Sequence, residues 1–345
     1  VENAALMREA LLAWYDSAAR VLPWRAPPGT PPPDPYRVWL SEVMLQQTTV
    51  AAVIPYFERF LQRFPTVADL AKAQQEDVLQ LWAGLGYYSR GRNLHAAAQI
   101  IAARGWPKDE ESLRALPGVG AYTAAAVAAI AFGKPATVVD GNVERVMARL
   151  FAVQSPLPAA KIELRELADA FTTPERPGDF AQALMDLGAT VCTPKSPACP
   201  RCPFRAQCHA AKEGSPERYP LKSPKAPKVL RYGVAFVLTR NDNFFLVRRP
   251  PKGLLAGMAA LPTTPWREAP WDWGEAKAHA PTPGPWIDRG AVSHVFTHFP
   301  LTLQVWAAAA PQDFSGNGHW VPVSAKENAG LPTVFLKAAV SGLQP

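Results

Sequence analysis

The segment L-P-G-V-G-A-Y-T-A-A-A-V-A-A-I-A-F, Leu116 to Phe132, decides how the longer part of this chain folds. Gly118 and Gly120 bracket one apolar residue, Val119, which permits a tight turn. The turn aims backbone N–H groups outward at the start of the helix Ala121–Phe132. Such groups at a helix N-terminus can hold a phosphate without a charged side chain. An ordinary helix–helix turn accounts for the same five residues equally well. Upstream, Glu111–Ala115 reads as a short helix that feeds the turn. Downstream, in V-V-D-G-N-V, Asp140 stands twenty residues past Gly120. Asp140 is either the cap of the helix Asn142–Leu150 or a carboxylate held at the mouth of a cleft.

Helical spacing extends outward from there over residues 2 to about 214, with Pro or Gly at the breaks. It predicts helices near Tyr36–Thr49, Ala51–Arg63, Ala68–Ala73, Gln75–Gly84, Tyr88–Arg104, Ala159–Phe171 and Asp179–Val191. The stretch S-P-E-R-Y-P-L-K-S-P-K-A-P-K, residues 215–228, has the character of an extended linker. After it the pattern turns to strands at Val229–Thr239, Asn243–Arg248, Trp286–Ala291, Leu301–Ala307 and Gly318–Pro322, with helices near Trp271–His279 and Val334–Ser341. The expected architecture is therefore multidomain, α followed by α+β: an all-helical domain over 1–214, a linker over 215–228 and an α+β domain over 229–345. With 36 Lys and Arg against 29 Asp and Glu, the net charge of +7 fits a polyanionic partner without proving one. No apolar run approaches a membrane span, no export signal is visible, and a reducing, cytoplasmic setting is the simplest expectation.

Two further clusters carry chemistry. In D-P-Y-R-V-W-L-S-E-V-M-L-Q-Q-T-T, Asp34 to Thr49, Glu42 is a lone acid among Leu40, Val43, Met44 and Leu45. Helical spacing groups Trp39, Val43 and Gln46/Gln47 on one face. A solvated Glu42 is the ordinary reading; in a pocket, desolvation would raise its pKa and make it a general acid near neutral pH. All four cysteines fall in C-x6-C-x2-C-x5-C, at Cys192, Cys199, Cys202 and Cys208. Soft thiolates in one cluster select an iron–sulfur centre or zinc. The spacing leaves both open and favours the former, while disulfides are disfavoured in a chain otherwise free of cysteine.

Jointly these residues resemble the helix–hairpin–helix DNA glycosylases that carry a [4Fe–4S] cluster. Within them, W-L-S-E-V-M-L-Q-Q-T and G-L-G-Y-Y-S-R, Gly84 to Arg90, are similar to the MutY-type adenine DNA glycosylases. The resemblance runs from about Leu11 through Cys208 and continues more weakly beyond. It implies base excision repair: a monofunctional enzyme that flips adenine mispaired with 8-oxoguanine, or with guanine, out of double-stranded DNA and cuts its N-glycosidic bond. It implies Glu42 as the acid that protonates the base, Asp140 as the carboxylate that stabilises the sugar cation, and Tyr122 as a hydrogen-bonding partner of the same site. A lysine at position 122 would support strand cleavage through a Schiff base, and tyrosine cannot. Gln47 and Tyr87 match residues wedged into the base stack, and Trp24, Arg25, Leu45 and Gln182 match the adenine pocket. Gln182 departs from relatives that carry Glu there. Gly118, Val119 and Gly120 correspond to the phosphate-binding hairpin, and the four cysteines to the cluster ligands. Lys195, Arg201 and Arg205 then become candidate phosphate contacts. A bacterial-type, nucleoid-acting monomer is the implied state.

The second domain resembles the Nudix-like C-terminal module of the same family, from R-P-P-K-G-L-L-A-G-M at Arg249 to Met258. Around Glu268 it lacks the run of glutamates that would hold a divalent metal, so pyrophosphate hydrolysis is not expected. His294-Val295-Phe296-Thr297-His298 is similar to the F-S-H loop that reads 8-oxoguanine, with Thr297 in the serine position. Phe296, Thr297 and His298 are thus the candidate lesion readers.

Overall fold

A computed structural model describes residues 3–224, 227–250 and 253–344. Lys225 and Ala226 of the expected linker, Pro251 and Lys252 of the R-P-P-K segment, and the terminal Val1, Glu2 and Pro345 lie outside the described residues. The chain divides into two compact units, Val1–Pro224 and Lys225–Pro345.

The first unit is helical: α1 (Ala4–Ala18), α2 (Pro35–Leu45), α3 (Val50–Arg63), α4 (Val67–Lys72), α5 (Gln75–Trp82), α6 (Ser89–Arg104), α7 (Glu110–Arg114), α8 (Ala121–Phe132), α9 (Gly141–Leu150), α10 (Lys161–Asp169), α11 (Pro177–Thr190) and α12 (His209–Lys212). At its centre lies α8, buried without a break from Thr123 to Ala131. A helix apolar on all sides belongs in a core, and its alanines let neighbours come close. Gly178 of α11 illustrates this, since a Cβ there would stand 2.9 Å from both Ala129 O and Ile130 Cα. In α2 the Asp34-Pro35 start works as its sequence suggests. Asp34 accepts from Tyr36 N–H at 2.8 Å, and Pro35 has no N–H that would need an acceptor.

α2 ends at Leu45, short of the expected Thr49, because Gln47 turns into left-handed backbone at φ 58° and Thr49 caps α3 instead. Gln46 and Gln47 therefore do not lie on the helical face shared by Trp39 and Val43. The stretch expected as a linker is anchored to the helical unit as far as Ser223. Tyr219 is buried, its hydroxyl donates to Glu213 and accepts from Gln154, and Leu157 exchanges backbone hydrogen bonds with Leu221 and Ser223.

The second unit is a mixed sheet of β1 (Arg231–Arg240), β2 (Asn243–Arg248), β3 (Ala259–Ala260), β4 (Ile287–Val295), β5 (Pro300–Ala309) and β6 (His319–Pro322). Its order is β3-β2-β1-β5-β4, with β6 on β2. β1 pairs parallel to β5, and the other pairings are antiparallel. β1 is buried on both faces from Val234 to Leu238, the mark of an interior strand. α13 spans Trp273–Ala276, and α14 (Thr333–Gly342) covers one face through Phe335, Ala338 and Ala339. β4 and β5 are joined by a tight loop in which Phe296 N–H donates to Phe299 O at 2.9 Å.

Candidate active site

Three element ends meet in the helical unit: the last turn of α2, the first turn of α8 and the N-terminus of α9. They enclose a cavity of about 350 Å³. Glu42, Tyr122 and Asp140 line it, together with Trp24, Arg25, Leu45, Gln47 and Gln182. Residues separated by up to 158 positions in the chain are thus brought to one place (Trp24 to Gln182).

Glu42 is 6 % exposed and does not face solvent. The reason is that α2 is buried nearly all round, from Val38 to Met44, so it has no wet side for an acid to occupy. Burial pushes the Glu42 carboxyl up to about 7; the Tyr122 hydroxyl and the Arg25 charge pull it back, and the Asp140 charge adds to the rise. Tyr122 donates to the Met185 thioether at 3.3 Å and also faces Glu42. Burial, with Glu42 and Asp140 nearby, holds its phenol well above the ordinary range, so it stays a neutral donor.

Both sequence readings of Asp140 hold at once. It caps α9, its Oδ1 accepting from Asn142 N at 2.9 Å and Val143 N at 2.8 Å, and it lines the cavity. Its Oδ2 accepts from Asn142 Nδ2 at 2.8 Å. Arg145 fixes that amide by donating to Asn142 Oδ1 at 2.8 Å, while its Nε donates to Cys192 O at 2.7 Å. The carboxylate is therefore oriented before any substrate arrives. Gly188 of α11 makes the arrangement possible, because a Cβ there would fall 2.6 Å from Asn142 Cβ.

The walls are fixed in a similar way. Arg25 is held by the fully buried Asp186 at 2.6 Å, and Arg20 pairs with the other oxygen of Asp186 at 2.6 Å. Trp24 packs edge-on against Phe57 at 5.2 Å. Gln182 donates Nε2 to Gly178 O at 3.1 Å, within its own helix. Sequence reasoning missed Asn142, Arg145 and Asp186. The first follows Asp140 in D-G-N and has a local signal. Asp186 has only its four-residue spacing from Gln182, and its partners lie in a distant segment.

Other candidates lie outside the cavity. Tyr87 is 59 % exposed, in left-handed backbone at φ 48°. In the hairpin, Gly118 has φ 73°, and a Cβ there would strike Asn93 Cβ at 2.7 Å. Gly120 has no such need, and a Cβ on it would meet nothing within 4 Å. Val119 N–H is spent on Leu116 O at 3.2 Å, and no side chain caps α8, so the open amides are those flanking Val119.

Cys192, Cys199, Cys202 and Cys208 are all free, all half-buried, and line one small cavity beside Arg149 and Arg205. Arg149, buried, donates to Cys192 Sγ at 3.4 Å, Thr193 O at 2.7 Å and Pro194 O at 3.0 Å, which ties the loop to α9. Burial pushes the Cys202 thiol up to about 12. Lys195, Arg201 and Arg205 are exposed on the loop. In the second unit Thr297 and His298 are exposed at the tip of the β4–β5 loop. Phe296 is stacked on Trp266 at 5.6 Å. Glu268 is exposed. Among the described residues no helix is long and apolar enough to cross a membrane.

Residues 40–171 match the HhH-GPD superfamily of base excision DNA repair proteins, and residues 233–339 match the NUDIX domain. The chain is 38 % identical to an adenine DNA glycosylase of Rattus norvegicus over 98 % of its own length and 78 % of the relative's. It is 31 % identical to an adenine DNA glycosylase of Buchnera aphidicola over 95 % of both. The chain is also similar to the structure of a thermostable thymine-DNA glycosylase, with TM-score 0.55, 28 % identity, and coverage of 61 % of this chain and 98 % of that one.

Proposed function

Because this chain belongs to the adenine DNA glycosylases, we infer that its α2–α8–α9 cavity is where adenine is severed from DNA in base excision repair. The observation that carries the assignment is the placement of Glu42. An acid pushed up to about 7 beside a neutral tyrosine and a fixed carboxylate keeps a proton to give at neutral pH.

The reaction needs the adenine out of the stack. Glu42 passes its proton to the base, at N7, and the C1′–N9 bond breaks with its electron pair leaving on the base. Asp140, already turned by Asn142 and α9, faces the positive charge that develops on the sugar. Water adds to C1′ and returns a proton to the Glu42 carboxylate. Among the described residues no lysine lines the cavity, and Tyr122 occupies the position from which an amine would attack, so water is the final nucleophile. Trp24, Arg25, Leu45 and Gln182 wall the base; with one Gln182 N–H given to Gly178, the other N–H and Oε1 remain for its edge. Gln47 and Tyr87 enter the stack beside the extruded base. The amides of Gly118 and Gly120 take a phosphate, and Lys195, Arg201 and Arg205 add phosphate contacts.

The four cysteines suit a [4Fe–4S] cluster: a purely soft donor set lining one small cavity, with two arginines to balance its charge. When bound, the cluster supplies a covalent frame for the loop of residues 192–208. The second unit, through Phe296, Thr297 and His298, reads 8-oxoguanine opposite the adenine; Thr297 keeps a hydroxyl for that edge. The test is incubation with duplexes carrying A opposite 8-oxoguanine, G or T, followed by alkali. Cleavage of the first two alone is expected, and equal action on all three refutes the mismatch reading.

A further inference from the structure

Arg90 is a buried cation that the scheme above leaves without a task. It is 8 % exposed, and every acceptor it meets among the described residues is neutral. Nη1 donates to the carbonyls of Val43 at 3.0 Å, Met44 at 3.0 Å and Gln46 at 2.6 Å. Nη2 donates to the carbonyls of Leu85 at 2.9 Å and Gly86 at 3.3 Å and to Thr48 Oγ1 at 3.4 Å. One guanidinium therefore joins two segments, the end of α2 that leads into Gln47 and the Gly84–Gly86 turn that leads into Tyr87. Its planar fork is suited to such a double grip, and a single ammonium is not.

Both segments need a grip. Gln47 and Tyr87 each hold left-handed backbone, at φ 58° and 48°, which a side chain adopts only where its surroundings impose it. α2 has no basic residue in its last turn, so Arg90 from α6 supplies the positive charge that the open carbonyls of a helix end favour. The guanidinium also lies 5.2 Å from the Trp82 ring centre and 5.6 Å from that of Tyr87. Trp82 Nε1 donates to Gly86 O at 3.0 Å, which pins the turn from the other side. A buried charge whose described acceptors are all neutral is an expensive way merely to fill space.

We propose that Arg90 is a positioning residue that locks the Gln47 and Tyr87 segments into one rigid wedge, so that both enter the base stack together as adenine is extruded. The inference rests on the wedge reading of Gln47 and Tyr87 given above.

The test uses Arg90→Met and Arg90→Lys in the full chain, with thermal melts to follow the fold. Extrusion is read from 2-aminopurine fluorescence beside the target adenine, and chemistry from single-turnover adenine release. On a paired duplex, Arg90→Met loses the fluorescence rise and slows release by roughly 100-fold, the scale of an ångström-sized misplacement. On a duplex whose target adenine already faces an abasic site, the loss shrinks to within about tenfold. In a Gln47→Ala/Tyr87→Ala background, Arg90→Met changes the rate by no more than about threefold, because the wedge it organises is gone. Arg90→Lys keeps the charge, follows the same pattern, and serves if the Met variant fails to fold. Equal losses on paired and unpaired adenine, or additivity with wedge removal, overturn the inference. If Gln47→Ala/Tyr87→Ala itself changes neither fluorescence nor rate, it is the wedge reading that fails.

Discussion

Glu42→Gln changes one proton and almost nothing of the cavity's shape, so it separates what the acid does for the reaction from what it does to the fold. Burial first, and then the Asp140 charge, lift the carboxyl from an ordinary 4.5 to about 7. Below 4.5 it is protonated whether the chain is folded or not, and it contributes nothing to pH dependence. Between 4.5 and about 7 the unfolded chain gives up the proton while the folded one keeps it, so stability falls as pH rises; above about 7 the loss is complete. The gap corresponds to about 3 kcal/mol. Glutamine cannot ionise, so the variant escapes the penalty. In urea unfolding it should exceed the wild type by up to about 3 kcal/mol at pH 8 and by less than about 1 kcal/mol at pH 5. Adenine release from a mismatched duplex should fall by about 10²–10⁴-fold. In the wild type, kcat/KM should decline as pH rises through about 7, because the acid form is lost. Stability and activity moving in opposite directions marks a group kept against the interest of the fold. A stability difference that ignores pH, or adenine release that survives the substitution, refutes the reasoning.

Asp140→Asn keeps a residue able to cap α9, so melts should show a loss of under about 1 kcal/mol while single-turnover adenine release drops by roughly 10³-fold; the reverse pattern would reduce Asp140 to a cap. Gly188→Ala puts a Cβ 2.6 Å from Asn142 Cβ. It should lower unfolding free energy by about 1–3 kcal/mol and also slow adenine release from fully folded protein, by displacing the amide that holds Asp140. Gly120→Ala meets no protein atom within 4 Å. It should leave stability within about 0.5 kcal/mol yet weaken duplex binding in a titration, since it crowds an approaching phosphate. Asp186→Asn strands Arg20 and Arg25 beside a site with no exposure. A cost of about 3–5 kcal/mol in equilibrium unfolding is expected, and a cost under about 1 kcal/mol would mean that neither arginine depends on it.

The hairpin and α8 were legible because their signals are local: a glycine at φ 73° and a helix too apolar to be anything but core. β1, β2, β4, β5 and β6 were legible for the same reason, as apolar runs set between turn residues, whereas the two-residue β3 at Ala259–Ala260 is too short to leave a pattern. Glu42 was singled out through the resemblance, but its burial was not legible from spacing, because amphipathic reasoning assumes that a helix has a wet face, and α2 lacks one over its last two turns. Gln46 and Gln47 defeated the spacing argument because Arg90, 44 residues from Gln46, takes the carbonyls at the end of α2. Asp186 holds Arg20 from 166 residues away, and no window of sequence contains both.

The groups proposed to react sit at element ends, Glu42 in the last turn of α2, Tyr122 in the first turn of α8 and Asp140 as the cap of α9. Element ends are where backbone donors and acceptors lack partners, so the residue types that cap helices are also those free to meet a ligand. Asp140 was read as a cap or as a cleft carboxylate, and the structure makes the two compatible: the α9 amides on Oδ1 and Asn142 on Oδ2 aim it into the cavity. The capping bonds are thus part of the pre-organisation that electrostatic catalysis requires. A substitution that spares the charge but loosens the cap should therefore slow the reaction by more than its effect on helix stability would suggest.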